Sequence, residues 1–332
     1  MGNVLSKYRR ELMGIATLWI VFFHAGFDVN IPVLHFIKQV GYGGVDIFMF
    51  LSGIGIWFTY EKNVDIVAFL KRRLWRILPC YLPIFMIWYF VKMLKDCPSV
   101  IEAGKDFLGN VFMLGWWFGG NNQFNWFVQA IFVFYLLSPI AYAMIKSFRN
   151  IKQDMIFVIV FLCVGIIFTG NVSLMAVSRF PIFLLGIIIA KHDFFVESHN
   201  FKWVLGISVF VGIIGLYIAI ERYSSYLWSY GLWWYPFLVI TPGLCMGLGN
   251  TLNWIAGYGV FKPVNELLKI SGECSLEIML VQIALFNLCS LEKENLAGWI
   301  LLIVLSVLVG VLYKKMEFYL KNLMIKENLK RI

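Results

Sequence analysis

Two sets of side chains in this chain have the chemistry of a site rather than of a solvated surface. The first is His24, in VFFHAG, together with Asp46, in GGVDIFMFLSG. An imidazole with a carboxylate holding one ring nitrogen is a usable general base. The same two residues also read as a neutral histidine hydrogen-bonded among helices and an aspartate at a helix start. The second set lies in FLKRRLWRILPCYLP, Phe69 to Pro83, where Lys71, Arg72, Arg73 and Arg76 crowd four positive charges together. On a helix Arg72, Arg73 and Arg76 share one face, and guanidinium groups bind phosphate oxygens in pairs. Cations just inside a membrane also anchor to lipid headgroups, so charge and position leave both readings standing.

The elements that must hold these residues follow from composition. Of the 332 residues 61% are apolar and 14% charged, and the mean hydropathy is +0.79, whereas soluble domains carry about 25% charged residues. Apolar stretches recur from end to end with short polar breaks, the pattern of helices that satisfy their own backbone in lipid. The windows place helices near 11–29, 42–60, 77–94, 124–145, 155–171, 173–190, 203–220, 232–249, 270–289 and 296–314. The expected fold is therefore all-α, a polytopic membrane bundle of about ten transmembrane helices, with residues 1–332 forming one membrane domain. The stretch FLGNVFMLGWWFG, Phe107 to Gly119, is too short to cross and reads as an interfacial or re-entrant piece. The first apolar segment lacks a small-residue cleavage pattern and reads as a retained helix.

With the N-terminus inside, this topology puts 21 of the 28 Lys and Arg residues in cytoplasmic segments and 6 outside, leaving Arg179 within a helix. That bias predicts both termini in the cytoplasm. The net charge of +9 is accordingly a topology signal, and no nucleic-acid partner is expected. The six cysteines are scattered without a CxxC pair, which points to neither a metal site nor a disulfide framework. In KHDFFVESH, His192, Asp193, Glu197 and His199 read as a solvated loop rather than as metal ligands. YLWSYGLWWYP, Tyr226 to Pro236, reads first as an interfacial aromatic belt.

Charged residues inside spans cost on the order of 2.5–3.5 kcal/mol, which singles out His24, Asp46, Arg179 and Glu277. At about 1.5 Å per residue, His24 lies roughly 18 Å beyond Leu12 and at a depth similar to Asp46, whose helix runs back inward. Arg179 is open to a functional reading or to snorkelling at its helix end. Glu277 is protonated, paired, or a ligand for a head group.

The runs RRELMGIATLWIVFFHAG, GGVDIFMFLSGIGIWF and FLKRRLWRILPCY together resemble the opening three helices of the acyltransferase 3 family, integral-membrane O-acyltransferases of surface polysaccharides and lipids. NWFVQAIFVFYLLSP (Asn125 to Pro139), RFPIFLLGIII (Arg179 to Ile189) and SGECSLEIMLVQ (Ser271 to Gln282) resemble later family helices in order. The resemblance implies that His24 is the catalytic base and that Arg73 and Arg76, the R-x-x-R ahead of Pro79, engage acyl-CoA. Two positions depart from the pattern: Met13 stands where the family often has arginine, and Gln282 where it has a late histidine. Arg9 or Arg10 is the candidate substitute for the former.

The function this implies is an O-acyltransferase of the inner cell membrane. It would move an acyl group, acetyl by default, from cytoplasmic acyl-CoA to a hydroxyl of a glycan or lipid-linked acceptor, with no bound cofactor and no metal. Arg72, Arg73 and Arg76 would take the CoA phosphates. His24, oriented by Asp46 or a neighbour, would deprotonate the acceptor. Ser52, Asn125, Trp126 and Gln129 are candidate oxyanion donors. Rival readings are a transporter or flippase, which the lack of self-similar halves disfavours, and a non-catalytic ligand-sensing membrane module.

Overall fold

A computed structural model describes residues 4–62, 65–96, 99–118, 123–168, 170–171, 173–192, 199–229, 233–289 and 291–330. The described residues form helices and turns without strands. In order they are α1 (Val4–Lys7), α2 (Arg9–His24), α3 (Pro32–Gln39), α4 (Gly43–Glu61), α5 (Ile66–Asp96), α6 (Val100–Val111), α7 (Trp126–Ser147), α8 (Ile151–Ile167), α9 (Leu174–Val177), α10 (Phe180–His192), α11 (His199–Ser229), α12 (Pro236–Ile255), α13 (Lys262–Glu273), α14 (Ser275–Leu288) and α15 (Leu296–Lys330). Among the described residues, six segments are long and apolar enough to cross a membrane: 43–60, 66–96, 126–147, 174–192, 203–222 and 296–322. Each of the ten expected windows contains helix, and among the described residues six segments reach a full crossing by length and composition.

The differences in extent have local causes. The first predicted helix stops at His24 rather than at 29, because the chain turns extended at Ala25 and Pro32 starts a new short helix. The 270–289 window is broken at Cys274 into α13 and α14. The 173–190 window is broken at Ser178 and Arg179, between α9 and α10. Phe107 to Phe118 makes no spanning helix: α6 ends at Val111, Met113 takes a positive φ of 56°, and residues Gly115–Phe118 form one tight turn. In contrast, α5 runs through Pro79 and Pro83. Pro83 lacks the N–H that would bond the carbonyl of residue 79, and the Tyr313 hydroxyl donates to that carbonyl instead at 2.8 Å. Ser138 does the same for Tyr135, the carbonyl orphaned by Pro139, also at 2.8 Å.

The bundle is layered by burial. The spans 43–60 and 174–192 are 78% and 83% buried, while 203–222 and 296–322 are 22% buried, so α4 and α10 are interior and α11 and α15 face lipid. Small residues bring the interior helices together. A Cβ at Gly53 of α4 would strike the Phe183 carbonyl, and one at Gly186 of α10 the Phe50 carbonyl. Gly14 of α2 and Gly272 of α13 meet in the same way, against the Leu268 and Arg10 carbonyls. In lipid, where burial of apolar surface gives helices little reason to associate, such close backbone approach supplies the packing attraction. Gly186→Val should therefore force α4 from α10 at a cost of about 1–3 kcal/mol and lower the detergent melting midpoint by several degrees. Gly206→Ala, in open space on α11, should leave it unchanged.

Candidate active site

Four helices turn one stripe each onto a common interior axis. On α2 these are Arg9, Met13, Ile20 and His24; on α4, Val45, Phe48 and Ser52; on α7, Phe127, Ile131 and Tyr135; on α14, Ser275, Met279, Gln282 and Phe286. Spacings of three, four and seven place each set on a single helix face. Two cavities lie along that axis. A narrow one of about 60 Å³ is lined by Arg9, Ser52, Arg73, Arg76 and Tyr135. A wider one of about 470 Å³ is lined by His24, Tyr42, Trp116, Asn125, Trp126, Arg179, Trp234, Gln282 and Trp299. Phe127 and Met279 belong to the walls of both, so the two cavities adjoin across a neck formed by these two side chains.

At the narrow end three guanidinium groups converge, with Arg9 close enough to feel the charges of Arg73 and Arg76. The Arg9 Nη2 donates a long hydrogen bond to the Leu51 carbonyl at 3.3 Å, and its buried Nε has no partner. The Arg73 guanidinium lies over the rings of Phe69 and Tyr135, 5.1 and 4.9 Å from their centroids. Stacking of this kind orients a guanidinium while leaving its N–H edge free for an anion. Arg72 is exposed and does not line the cavity, so of the three arginines expected to bind phosphate the structure brings together Arg73 and Arg76 and adds Arg9. Arg9 occupies the place suggested by the Met13 departure: both residues line the cavity one turn apart, while Arg10 points away to pair with Glu273.

At the wide end, His24 closes the last turn of α2, is exposed, and lines the cavity. About 22 Å of helix separates it from Arg9. The polar side chain facing the imidazole is Gln282, whose buried carboxamide oxygen completes no hydrogen bond. Thus the second departure from the family pattern sits directly beside His24. Asp46, expected as the partner of the imidazole, lies instead against Arg179, with Oδ2 3.7 Å from Nε. Both are almost wholly buried. The reason is the break between α9 and α10, which presents Arg179 inward across the Gly53 and Gly186 crossing. Arg179 therefore does not snorkel. Its guanidinium is held between Trp126 and Trp234, 5.0 and 5.1 Å from the two ring centroids, and donates to the Met175 carbonyl at 2.7 Å.

The remaining candidates divide. Asn125 caps α7, its Oδ1 accepting from the Val128 N–H at 3.1 Å, which leaves a buried Nδ2 without a partner on the wall of the His24 cavity. Trp126 lines the same cavity. Gln129 is committed elsewhere, accepting from the Trp116 N–H and donating to the Gln123 side chain, each at 2.8 Å. Ser52 faces the arginines, not His24. Glu277 is paired, bonded to Lys314 at 2.7 Å, so it ties α14 to α15. His192 bonds Asp154 at 2.6 Å; Asp193, Glu197 and the His199 side chain lie outside the described residues. Residues the sequence did not single out include Trp116, whose buried Nε1 is unpartnered, and Met279 at the neck. Arg9 is one of the two candidates offered for the Met13 departure, beside Arg10, and spacing from Gln282 would have found Met279.

An arginine-lined cavity and an aromatic chamber holding one histidine thus lie side by side, with Phe127 and Met279 between them. No curated protein and no solved structure matches the chain. The profile of the acyltransferase 3 family, an acyltransferase domain, matches residues 12–315. Arg73, Arg76 and His24 all fall within that match, and the chain belongs to the acyltransferase 3 family of membrane proteins.

Proposed function

We propose that the protein is an O-acyltransferase of the inner cell membrane, with ten crossings and both termini cytoplasmic, that transfers an acyl group, acetyl by default, from cytoplasmic acyl-CoA to a hydroxyl of a glycan or lipid-linked acceptor. The observation that carries this reading is the meeting of the arginine-lined cavity and the His24 cavity at Phe127 and Met279. Acyl-CoA sets its diphosphate on Arg9, Arg73 and Arg76 and threads its pantetheine arm through the neck. The His24 imidazole takes the proton of the acceptor hydroxyl as that oxygen attacks the thioester carbonyl. The tetrahedral oxyanion accepts hydrogen bonds from Asn125 Nδ2 and Trp116 Nε1, donors that have no other partner. Collapse of the intermediate breaks the C–S bond, and the imidazolium returns its proton to the departing CoA thiolate. Asp46 acts at one remove, fixing Arg179 and through it the Trp126 and Trp234 faces of the acceptor chamber.

Sidedness tests the reading. In proteoliposomes with labelled acetyl-CoA on the face carrying the termini and a glycan acceptor on the other, label should move onto the acceptor while CoA stays behind. Transfer that requires both substrates on one side would contradict it. Asn125→Ala should lower kcat by about 10²-fold with acyl-CoA affinity retained, as for loss of one oxyanion donor, checked by paired kinetic and binding measurements.

A further inference from the structure

Arg9 lines more than the narrow cavity. On its other side lies a third cavity of about 350 Å³, formed by α1, α2 and α4 and lined by Leu5, Ser6, Leu51, Ile54, Gly55, Phe58, Thr59 and Lys62 besides Arg9. Gly55 leaves the room in which the Arg9 guanidinium lies, since a Cβ there would sit 2.9 Å from Nη2. Arg9 is thus placed at a fork, with a slender passage into the membrane on one side and a broader recess at its end on the other. The recess has an aromatic ring, Phe58, on an otherwise aliphatic wall, hydroxyls at Ser6 and Thr59, and a cation at its rim, Lys62.

Charge accounts for what such a recess would hold. Among the described residues no carboxylate lies within ion-pair distance of Arg9, Arg73, Arg76 or Lys62. The three guanidiniums and the ammonium make four positive charges around two adjoining cavities. Arg9 and Arg73 are half-buried while Arg76 and Lys62 are exposed at the rims; half-buried cations without counter-ions are costly, and four like charges around adjoining cavities suit a polyanion. A nucleoside diphosphate carrying an added phosphomonoester holds about four negative charges at neutral pH. Its diphosphate would sit at the fork, its slender arm would enter the passage, and its nucleoside would need a flat apolar wall next to one more cation.

We infer that the recess between α1, α2 and α4 is a nucleotide subsite: it takes the adenosine 3′-phosphate end of acyl-CoA, with the base against Phe58 and the 3′-phosphate on Lys62. This inference rests on acyl-CoA being the donor and goes further, in assigning the two ends of the donor to opposite sides of Arg9. The shared chemistry, a phosphate monoester or diester beside an apolar group, also describes an anionic lipid headgroup, and the test separates the two.

Binding of CoA, of dephospho-CoA, which lacks the 3′-phosphate, and of adenosine 3′,5′-bisphosphate, which lacks the arm, is measured by calorimetry on the full-length protein in nanodiscs of phosphatidylcholine. The same titrations are repeated in discs containing phosphatidylglycerol. The bisphosphate should compete with CoA. Lys62→Ala should weaken CoA and the bisphosphate by about ten-fold, the scale of one lost charge-assisted contact, and leave dephospho-CoA within about two-fold. Phe58→Ala should weaken all three nucleotides. Lys62 and Phe58 are partly or fully exposed, so neither variant endangers the fold. Equal losses for CoA and dephospho-CoA in Lys62→Ala, or none, would overturn the subsite while leaving the donor reading intact, provided Arg76→Ala still weakens CoA binding by about 10-fold or more. A Lys62 effect present only with phosphatidylglycerol, and no competition by the bisphosphate, would assign the recess to lipid and overturn it too. Absence of any CoA binding by the wild-type protein would remove both the subsite and the donor reading.

Discussion

His24→Ala is expected to slow acyl transfer by about 10²–10⁴-fold, the usual worth of a positioned general base. Acyl-CoA affinity should stay within about two-fold, because the side chain acts in the transition state and touches no part of the donor's head. The geometry makes this split sharp. About 22 Å of α2 lies between the imidazole and Arg9, and the two line different cavities that share only the neck residues. A histidine serving merely as packing would give a different pattern, with lost thermal stability and modest loss of rate. His24→Gln, which keeps volume and hydrogen bonding but cannot act as a base near neutral pH, should be as inactive as alanine and as stable as wild type. Single-turnover kinetics with labelled acetyl-CoA, alongside melting curves, measures both properties.

The second large effect lies at the other end of the passage. Arg73→Ala and Arg76→Ala each remove a charge-assisted contact to phosphate worth about 1.5–3 kcal/mol, or about 10–150-fold in acyl-CoA affinity. Together they should cost at least about 10³-fold, because the Arg9 that remains cannot grip a diphosphate from two sides. The catalytic step measured at saturating donor should be far less affected. Arg72→Ala, an exposed neighbour outside the cavity, should change affinity by less than about three-fold, as expected for a solvated surface charge. Arginine-to-lysine changes at 73 should recover only part of the loss, since an ammonium cannot stack on Phe69 and Tyr135 and present two parallel donors at once.

The contrast between these arginines illustrates what was legible in the sequence. Hydropathy windows located helix throughout, and the basic run ahead of Pro79 was visible as a phosphate-sized cluster. Which of its members face inward was not visible, because that depends on the rotation of α5 against α7. The rotation is set by packing of Phe69 and Ile77, among the buried residues. Arg9 was legible only as one of two candidates, beside Arg10. A cation at the start of a first helix carries the same signal as any residue obeying the positive-inside bias, and only its helical spacing to His24 distinguishes it.

Asp46 shows a different limit. Depth alone paired it with His24, as two ionisable groups near one level of the membrane. Its actual neighbour, Arg179, comes from a distant part of the chain, brought near by the Gly53 and Gly186 crossing and turned inward by the break after α9. A hydropathy window does not register that break, since Leu174–His192 is apolar enough on average to read as one span, although Pro181 just beyond it suits a helix start. The windows also passed over breaks for the same reason. They register apolar length, but not the stops at His24 and Cys274 that leave α2 and α14 shorter than a full bilayer span. Those stops place His24 on the wide cavity and the α13–α14 junction on the narrow one, so the features that escaped hydropathy are the ones that shape the candidate site.

The account stands on the passage being continuous for the donor. The most direct measurement is a cryo-electron microscopy structure of the protein in lipid with a thioether analogue of acetyl-CoA, which cannot transfer its acyl group. The account predicts phosphates against Arg9, Arg73 and Arg76, the pantetheine arm between Phe127 and Met279, and the acyl carbon in the chamber of His24. An acceptor hydroxyl placed there would lie about 3–3.5 Å from that carbon, the separation of a near-attack geometry. An arm that halts below Phe127 and Met279, or a donor bound on the outside of the bundle, would contradict it.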